Sequence, residues 1–493
     1  MTHPSLTSHL SKRSQNRPSH HFGGQPLPQH IKNKHYKDVL SFAGGRPYHG
    51  FFPVESIALG VLDSPSSNKG IQVNISRDHS TDPIKVLKNS QVNSSSRAID
   101  IKDGFQYGPN NGDPKLLDLL TDFTQKVNPP GFPEWNITLS NGTGDSLHKV
   151  FNLLINPDDI VLVENYTYVP VLNNIETYGG RAFPIELNFE AGGIDLVKLR
   201  KLLANWDENE ATKSLNKPKA LYTIATGQNP TGLSLSNESR KELVEIAKEF
   251  DFIIVEDDPY GYIQLGSKED EFKGITTDEY IKKLPNSLIQ YDSEGRVLRL
   301  ESFSKVFAPG SRLGFIVGSN EFISRIVKHT LVSTRAPSGI SQTVISNAIE
   351  GLGELYDQGE GPDRAINGWL NWLTRLSDSY TERKLILTNF LEGTESYKKG
   401  YFKIVEPKAG MFLIITLNLT ESDDYRDEIE QFRYKTVEHG LSVILGKNLA
   451  FEEIASKKAT FVRLTIAAAE HSEELVQAGK RLDDAILEYF ESK

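Results

Sequence analysis

At 493 residues the chain is too long for one simple core, so two domains, one large and one small, are expected. Its net charge of −10 argues against a general nucleic-acid binder, and no apolar run reaches membrane-spanning length. The chain has no cysteine, which excludes disulfides, thiolate nucleophiles and zinc–sulfur sites and fits a reducing compartment.

Residues 1–37 contain no Asp or Glu and carry Lys12, Arg13, Arg17, Lys32, Lys34 and Lys37. That composition would suit a mitochondrial transit peptide. Pro4, Pro18, Pro26 and Pro28 and the lack of an amphipathic stripe favour instead a flexible arm on a cytoplasmic protein. His20-His21 has no nearby carboxylate or cysteine, so no metal site is expected. The N-terminal segment, 38–100, holds Gly44-Gly45 in a turn flanked by aromatics, where backbone can approach a ligand closely. Its stretch 68–99 is rich in Ser and Asn and reads as a mobile surface insertion.

The large domain is expected over 101–355. Leu116, Leu117, Leu120 and Phe123 recur at helical spacing within 113–126. A strand over 137–140 breaks at Asn141-Gly142-Thr143-Gly144, and a helix follows with Leu147, Val150, Phe151 and Leu154 on one face. Strand, Gly-rich turn and helix N-terminus make a phosphate cradle, because free N–H groups and the helix dipole point at the anion. Strands at 160–164, 181–187, 219–225 and 252–256 then alternate with helices at 171–178, 195–206 and 236–250. This predicts an α/β fold with a mostly parallel central sheet covered on both faces. Ligands gather at the C-terminal ends of such strands.

Two more strands, 296–300 and 313–318, bracket Lys305 in a tight turn. The hydroxyls of Ser302 and Ser304 and the guanidinium of Arg312 suit a phosphate dianion, and a lysine beside that anion suits a Schiff base. Helices follow at 320–333, 338–352 and 363–392. A small α+β domain, 356–493, takes strands at 402–405, 411–417, 441–445 and 461–466 and helices at 425–439 and 471–490.

The groups at the strand ends would complete a site for pyridoxal 5′-phosphate (PLP), which needs an amine, an anion at its ring nitrogen, a donor to its ring oxygen, a ring platform and a phosphate cradle. Lys305 supplies the amine, and a carboxylate of Glu256-Asp257-Asp258 the anion. Asn229, fixed in a Pro/Gly turn, and Tyr260 serve the ring oxygen, and Tyr168 the platform. Thr143, Gly144, Ser302, Ser304 and Arg312 form the cradle. Arg463, embedded in an apolar strand, would meet a substrate carboxylate or a structural ion-pair partner. The plain alternatives elsewhere are a solvated lysine, a capping carboxylate and a core tyrosine.

Asn229-Pro230-Thr231-Gly232, Glu256-Asp257-Asp258-Pro259-Tyr260 and Ser302-Phe303-Ser304-Lys305 with Arg312 and Arg463 resemble, in this order, the class I aminotransferases of PLP fold type I. Phe52-Pro53-Val54-Glu55-Ser56 and Arg335-Ala336-Pro337-Ser338-Gly339 resemble the branch of fungal aromatic amino acid and kynurenine/α-aminoadipate aminotransferases. The resemblance runs from about residue 40 to the C-terminus, outside the arm and the insertion. It implies Lys305 as the Schiff-base lysine and Asp257, rather than Asp258, at the ring nitrogen. It implies Asn229 and Tyr260 at the ring oxygen, with Asn229 also on the substrate side, Tyr168 on the ring face, and Ser302, Ser304 and Arg312 on the phosphate. Arg463 would hold the substrate carboxylate and Gly45 would line the substrate side. Tyr107 would reach the phosphate of the neighbouring subunit in a homodimer with shared sites. Thr143-Gly144-Asp145 departs from the Ser-Gln of relatives, so Gly144 offers only its N–H.

The implied reaction is ping-pong transfer between aromatic amino acids (Phe, Tyr, Trp) and 2-oxo acids such as 2-oxoglutarate or phenylpyruvate. α-Aminoadipate or kynurenine is the alternative donor. A decarboxylase or β-lyase would share the cofactor shell. A PLP-sensing transcription regulator would need a winged-helix domain where only the arm stands.

Overall fold

The computed structural model describes residues 6–18, 47–65, 67–76, 97–357, 361 and 363–492. A seven-stranded sheet organises the large domain, in the order Trp135–Ser140, Gly314–Ser319, Val297–Ser302, Ile253–Asp257, Pro218–Thr223, Ile160–Glu164 and Arg181–Ile185. Only Gly314–Ser319 runs antiparallel to its neighbours; the other pairings are parallel. Ile160–Glu164 and Ile253–Asp257 are buried along their whole length, as strands with helices on both faces must be. Side-chain caps close several of the covering helices. Ser236 accepts from the N–H of Ser239, Asp113 from Lys115 and Ser319 from Phe322. The helix Thr143–Leu154 is different: Gly142 stands at its N-cap and no side chain bonds there. Its first N–H groups are left for something else.

The 30-residue helix Arg364–Gly393 joins the two domains. Its first half places Ile366, Trp369, Leu370 and Leu373 in the large core, and its second half places Leu387 and Leu391 in the small one. In the first half Trp372 Nε1 donates to the carbonyl of Val306 at 2.9 Å, tying this helix to the turn that carries Lys305. The small domain's sheet is antiparallel, in the order Phe402–Val405, Phe412–Leu417, Phe461–Thr465, Ile444–Leu445. The strand expected over 441–445 shrinks to its last two residues, where Ile444 faces Arg463 and Leu445 faces Val462.

Two expectations are corrected. Part of the stretch read as a mobile insertion is a strand: Gly70–Ser76 pairs antiparallel with Ser56–Leu62, Ile75 opposite Ile57 and Val73 opposite Leu59. Ile71, Val73 and Ile75 alternate with the polar residues and face inward, so the period-2 pattern was present beneath a Ser/Asn-rich composition. Residues 77–96 lie outside the described residues.

The arm is likewise docked over 6–18. Leu6 and Leu10 are 4% and 2% exposed and join the large core. The Ser11 N–H donates to the carbonyl of Leu153 at 2.7 Å, and the Arg13 guanidinium lies 4.6 Å from the Tyr178 ring centre. Two leucines four apart are enough to seat one turn but too few to stand out in a polar segment. Residues 19–46, including His20-His21 and Gly45, lie outside the described residues. Leu10→Ala should undock this turn, because truncating a buried leucine costs about 2–5 kcal/mol, more than so short a segment can recover elsewhere. Trypsin should then cut after Lys12 and Arg13 faster than in the unaltered protein; equal cleavage rates would show that the leucine does not hold the arm.

Candidate active site

The strand ends converge. Asp257 and Ser302 are the last residues of their strands, Thr143 opens its helix, and Tyr168 lies just ahead of the helix Pro170–Thr177. One cleft of about 520 Å³ is lined by Thr143, Gly144, Tyr168, Asn229, Asp257, Tyr260, Ser302, Ser304, Lys305, Arg312 and Arg463. Every predicted site residue therefore meets there except two. Tyr107 is 73% exposed and stands outside the cleft. Gly45 is not among the described residues.

Asp257 is buried at the floor. Tyr222, on the adjacent strand, donates its hydroxyl to Oδ2 at 2.8 Å, while Oδ1 has no hydrogen-bond partner among the described residues. Burial pushes this carboxyl up to about 7, against the pull of the Tyr222 hydroxyl. Asp258 points elsewhere: Arg299 Nη2 meets its Oδ2 at 2.7 Å, and Asp258 does not line the cleft. Strand parity explains the choice. Tyr222 pairs with Val255, so Val255 and Asp257 share the face of Tyr222, whereas Glu256 turns to Ser287 and the Leu288 N–H on the other.

Lys305 is half-buried, and burial lowers its ammonium pKa with no carboxylate among the described residues acting on it. A solvated loop lysine would show neither feature. Beside it the Ser302 hydroxyl lies 2.9 Å from that of Ser304 and accepts from the Ser304 N–H at 3.1 Å. Arg312 adopts a left-handed backbone (φ 46°) and reaches across to donate from Nη2 to the Asn141 carbonyl at 3.0 Å. Gly142 (φ 86°) makes room for it: a Cβ there would sit 2.9 Å from Arg312 Nη2. Two hydroxyls, a guanidinium and the uncapped helix N-terminus thus share one corner, the donor set of a phosphate dianion.

At the opposite wall Arg463 Nη1 donates to Asn229 Oδ1 at 2.7 Å, and its guanidinium carbon lies 4.2 Å from the centre of the Phe412 ring. Burial lowers its pKa, and the group that opposes this is the Tyr260 phenol rather than any carboxylate. Among the described residues Arg463 has no ion-pair partner, so the structural ion pair is set aside and the other edge of the guanidinium is open to the cleft. Asn229 itself stands in a turn whose Asn229–Pro230 bond is cis.

These observations fit PLP. An orphaned buried carboxylate oxygen matches a protonated ring nitrogen, an unpaired amine matches the aldehyde carbon, and an uncapped helix with two hydroxyls and an arginine matches the phosphate. Sequence reasoning missed Tyr222, Phe412 and Gln228, which hold Asp257, Arg463 and the Asn229 turn. None carried a signal in the sequence, because each contact depends on strand register or on packing between distant stretches of chain.

Such a floor, wall and corner on an α/β sheet define a PLP-dependent enzyme of fold type I. The family model for class I and II aminotransferases matches residues 72–482, and the chain belongs to that family. It is similar to aromatic amino acid aminotransferase 2 of Saccharomyces cerevisiae, 36% identical over 479 residues, which cover 92% of this chain and 91% of the yeast one. It is 28% identical to the mitochondrial kynurenine/alpha-aminoadipate aminotransferase of Bos taurus over 93% of this chain and 94% of that one. The crystal structure of the aromatic aminotransferase Aro9 from C. albicans superimposes with a TM-score of 0.88 at 36% identity and covers 99% of both chains.

Proposed function

We propose that this PLP-dependent aminotransferase moves amino groups between aromatic amino acids and 2-oxo acids such as 2-oxoglutarate or phenylpyruvate, in two half-reactions through one site. The observation that carries the chemistry is the unpaired amine of Lys305 in the same cleft as the orphaned oxygen of Asp257. The aromatic preference is supported by the relatives of like length named above.

When bound, PLP supplies the electron sink that acidifies the substrate α-proton. Asp257 Oδ1 would accept from the ring N–H and keep that nitrogen cationic. Asn229 has its carbonyl taken by Arg463, so its Nδ2 is left to donate to the ring oxygen, with the Tyr260 phenol as second donor. Tyr168 would cover the ring face; Ser302, Ser304, Arg312 and the N–H groups of Thr143 and Gly144 would hold the phosphate. The free edge of Arg463 takes the substrate carboxylate as a two-pronged hydrogen bond. This would set the α-C–H toward Lys305, whose Nζ, neutral more readily because it is half-buried, would be placed to take the proton from the α-carbon and hold it.

We also propose that the enzyme works as a homodimer. Tyr107 is exposed here and would complete the partner's phosphate corner.

A donor–acceptor panel on the purified protein tests the substrate class. Phenylalanine, tyrosine or tryptophan with a 2-oxo acid should yield a new amino acid in equal amount and no carbon dioxide. Preference for kynurenine or α-aminoadipate, or release of carbon dioxide, would contradict it. Arg463→Ala should raise KM for the amino acid and lower kcat/KM roughly 10- to 100-fold, as expected for losing about 1.5–3 kcal/mol of charged hydrogen bonding. An unchanged KM would remove Arg463 from its role.

A further inference from the structure

Gln228, one residue before Asn229, is 2% exposed and uses every donor and acceptor of its side chain. Its Nε2 donates to Glu164 Oε2 at 2.8 Å and to the Tyr166 carbonyl at 2.7 Å. Its Oε1 accepts from the Thr231 N–H at 2.9 Å and from the Thr231 hydroxyl at 2.6 Å. Glu164, the last residue of its strand and 1% exposed, takes a second hydrogen bond from the Thr223 hydroxyl at 2.6 Å. No cation among the described residues offsets its burial, and its pKa rises to about 7. A buried carboxyl without a basic partner is costly, and no step of the chemistry above uses it. Its contact to Gln228 is what it contributes.

We infer that Gln228, anchored on Glu164, is a positioning residue that locks the segment carrying Tyr168 to the turn carrying Asn229, so that ring platform and substrate-arginine partner keep one fixed relation. The locked pieces come from different strand ends. Residues 164–168 continue the Ile160–Glu164 strand, while the turn follows Pro218–Thr223. The turn is bounded by Gly227 (φ 59°) and Gly232 (φ 73°), which lie against the backbone of Ala409 and the carbonyl of Phe412 and leave no space for a Cβ. Glycines at both ends give the turn two pivots. Backbone bonds from the Gln228 N–H to the Leu233 carbonyl and from the Gly232 N–H to the Gln228 carbonyl close the turn itself, and the Gln228 amide ties it to Glu164 and Tyr166, keeping Asn229 within reach of Arg463 Nη1.

This inference rests on the reading of Tyr168 and Asn229 as cofactor contacts. It is tested with Gln228→Leu, close in volume but without hydrogen bonds, and Thr231→Val, which removes one bond from the same amide. The readouts are PLP affinity of the apoprotein by absorbance titration, KM and kcat for phenylalanine, and melting temperature. Gln228→Leu should weaken PLP binding and raise KM about tenfold or more, because misplacing a binding group by a fraction of an ångström is enough to do so. Thr231→Val should move both in the same direction by less. Glu164→Gln, which still offers an oxygen to Gln228, should restore most of what Glu164→Ala loses. Lower melting temperatures with PLP affinity and KM within about twofold of the unaltered protein would make Gln228 merely structural and overturn the inference. If Gln228→Leu does not fold, Thr231→Val decides by the same criterion. An unaltered protein that binds no PLP would overturn the functional reading and this inference with it.

Discussion

Replacing Lys305 by alanine is expected to abolish transamination, by about four orders of magnitude or more, since both the covalent hold on the cofactor and the group that moves the α-proton are lost. Lys305 is the only lysine that lines the cleft among the described residues, and no carboxylate restrains it. Its turn is fixed from outside the site by Trp372, which donates to the carbonyl of Val306, so the substitution should leave the backbone in place. The variant should fold with an unchanged melting profile and bind PLP through Ser302, Ser304, Arg312 and Asp257, but without the yellow absorbance of a lysine-bound cofactor. Turnover near that of the unaltered protein would require another base.

Asp257→Asn has a two-sided expectation. The amide keeps the size of the carboxylate and can still accept from Tyr222, but it cannot hold a cationic ring nitrogen. The electron sink is weakened, and kcat should fall on the order of 10²- to 10³-fold, as when a preorganised electrostatic partner is removed. Stability of the apoprotein should move the other way. The folded carboxyl titrates at about 7, above its ordinary 3.8, because it is buried. The native state therefore binds more protons than the unfolded chain between those values, and the ionised carboxylate costs stability as pH rises through the window. Removing the charge should raise the melting temperature at about pH 8 and change it little near about pH 4. A variant that is both less active and less stable at the higher pH would mean that Asp257 is held by partners other than Tyr222.

Much of this site was legible in the sequence because its residues sit where strands stop. Apolar runs such as 252–256 locate the strands, and the residue following each run is then at the edge where ligands collect. In the sequence only the resemblance separated Asp257 from Asp258; in the structure strand parity does, since Tyr222 pairs with Val255 and the residue two along from Val255 shares its face. The role of Arg463 was not decidable from its apolar strand alone. What supports it is that Asn229 and Phe412, far away in the chain and close in space, meet its guanidinium, while no acid among the described residues pairs with it. Gln228 was invisible for the same reason, its anchor lying 64 residues upstream. At the N-terminus composition misled. A basic, proline-containing arm reads as flexible until Leu6 and Leu10 are seen in the core, and a Ser/Asn-rich stretch reads as loop until Ile71, Val73 and Ile75 are seen to alternate.

The central claim is that one amine, placed opposite one aspartate, carries the cofactor. It is tested most directly by loading the purified protein with PLP, reducing it with borohydride and mapping the modified peptide by mass spectrometry. The account predicts a single phosphopyridoxyl group on Lys305; the group on any other lysine, or no fixed label at all, would contradict it.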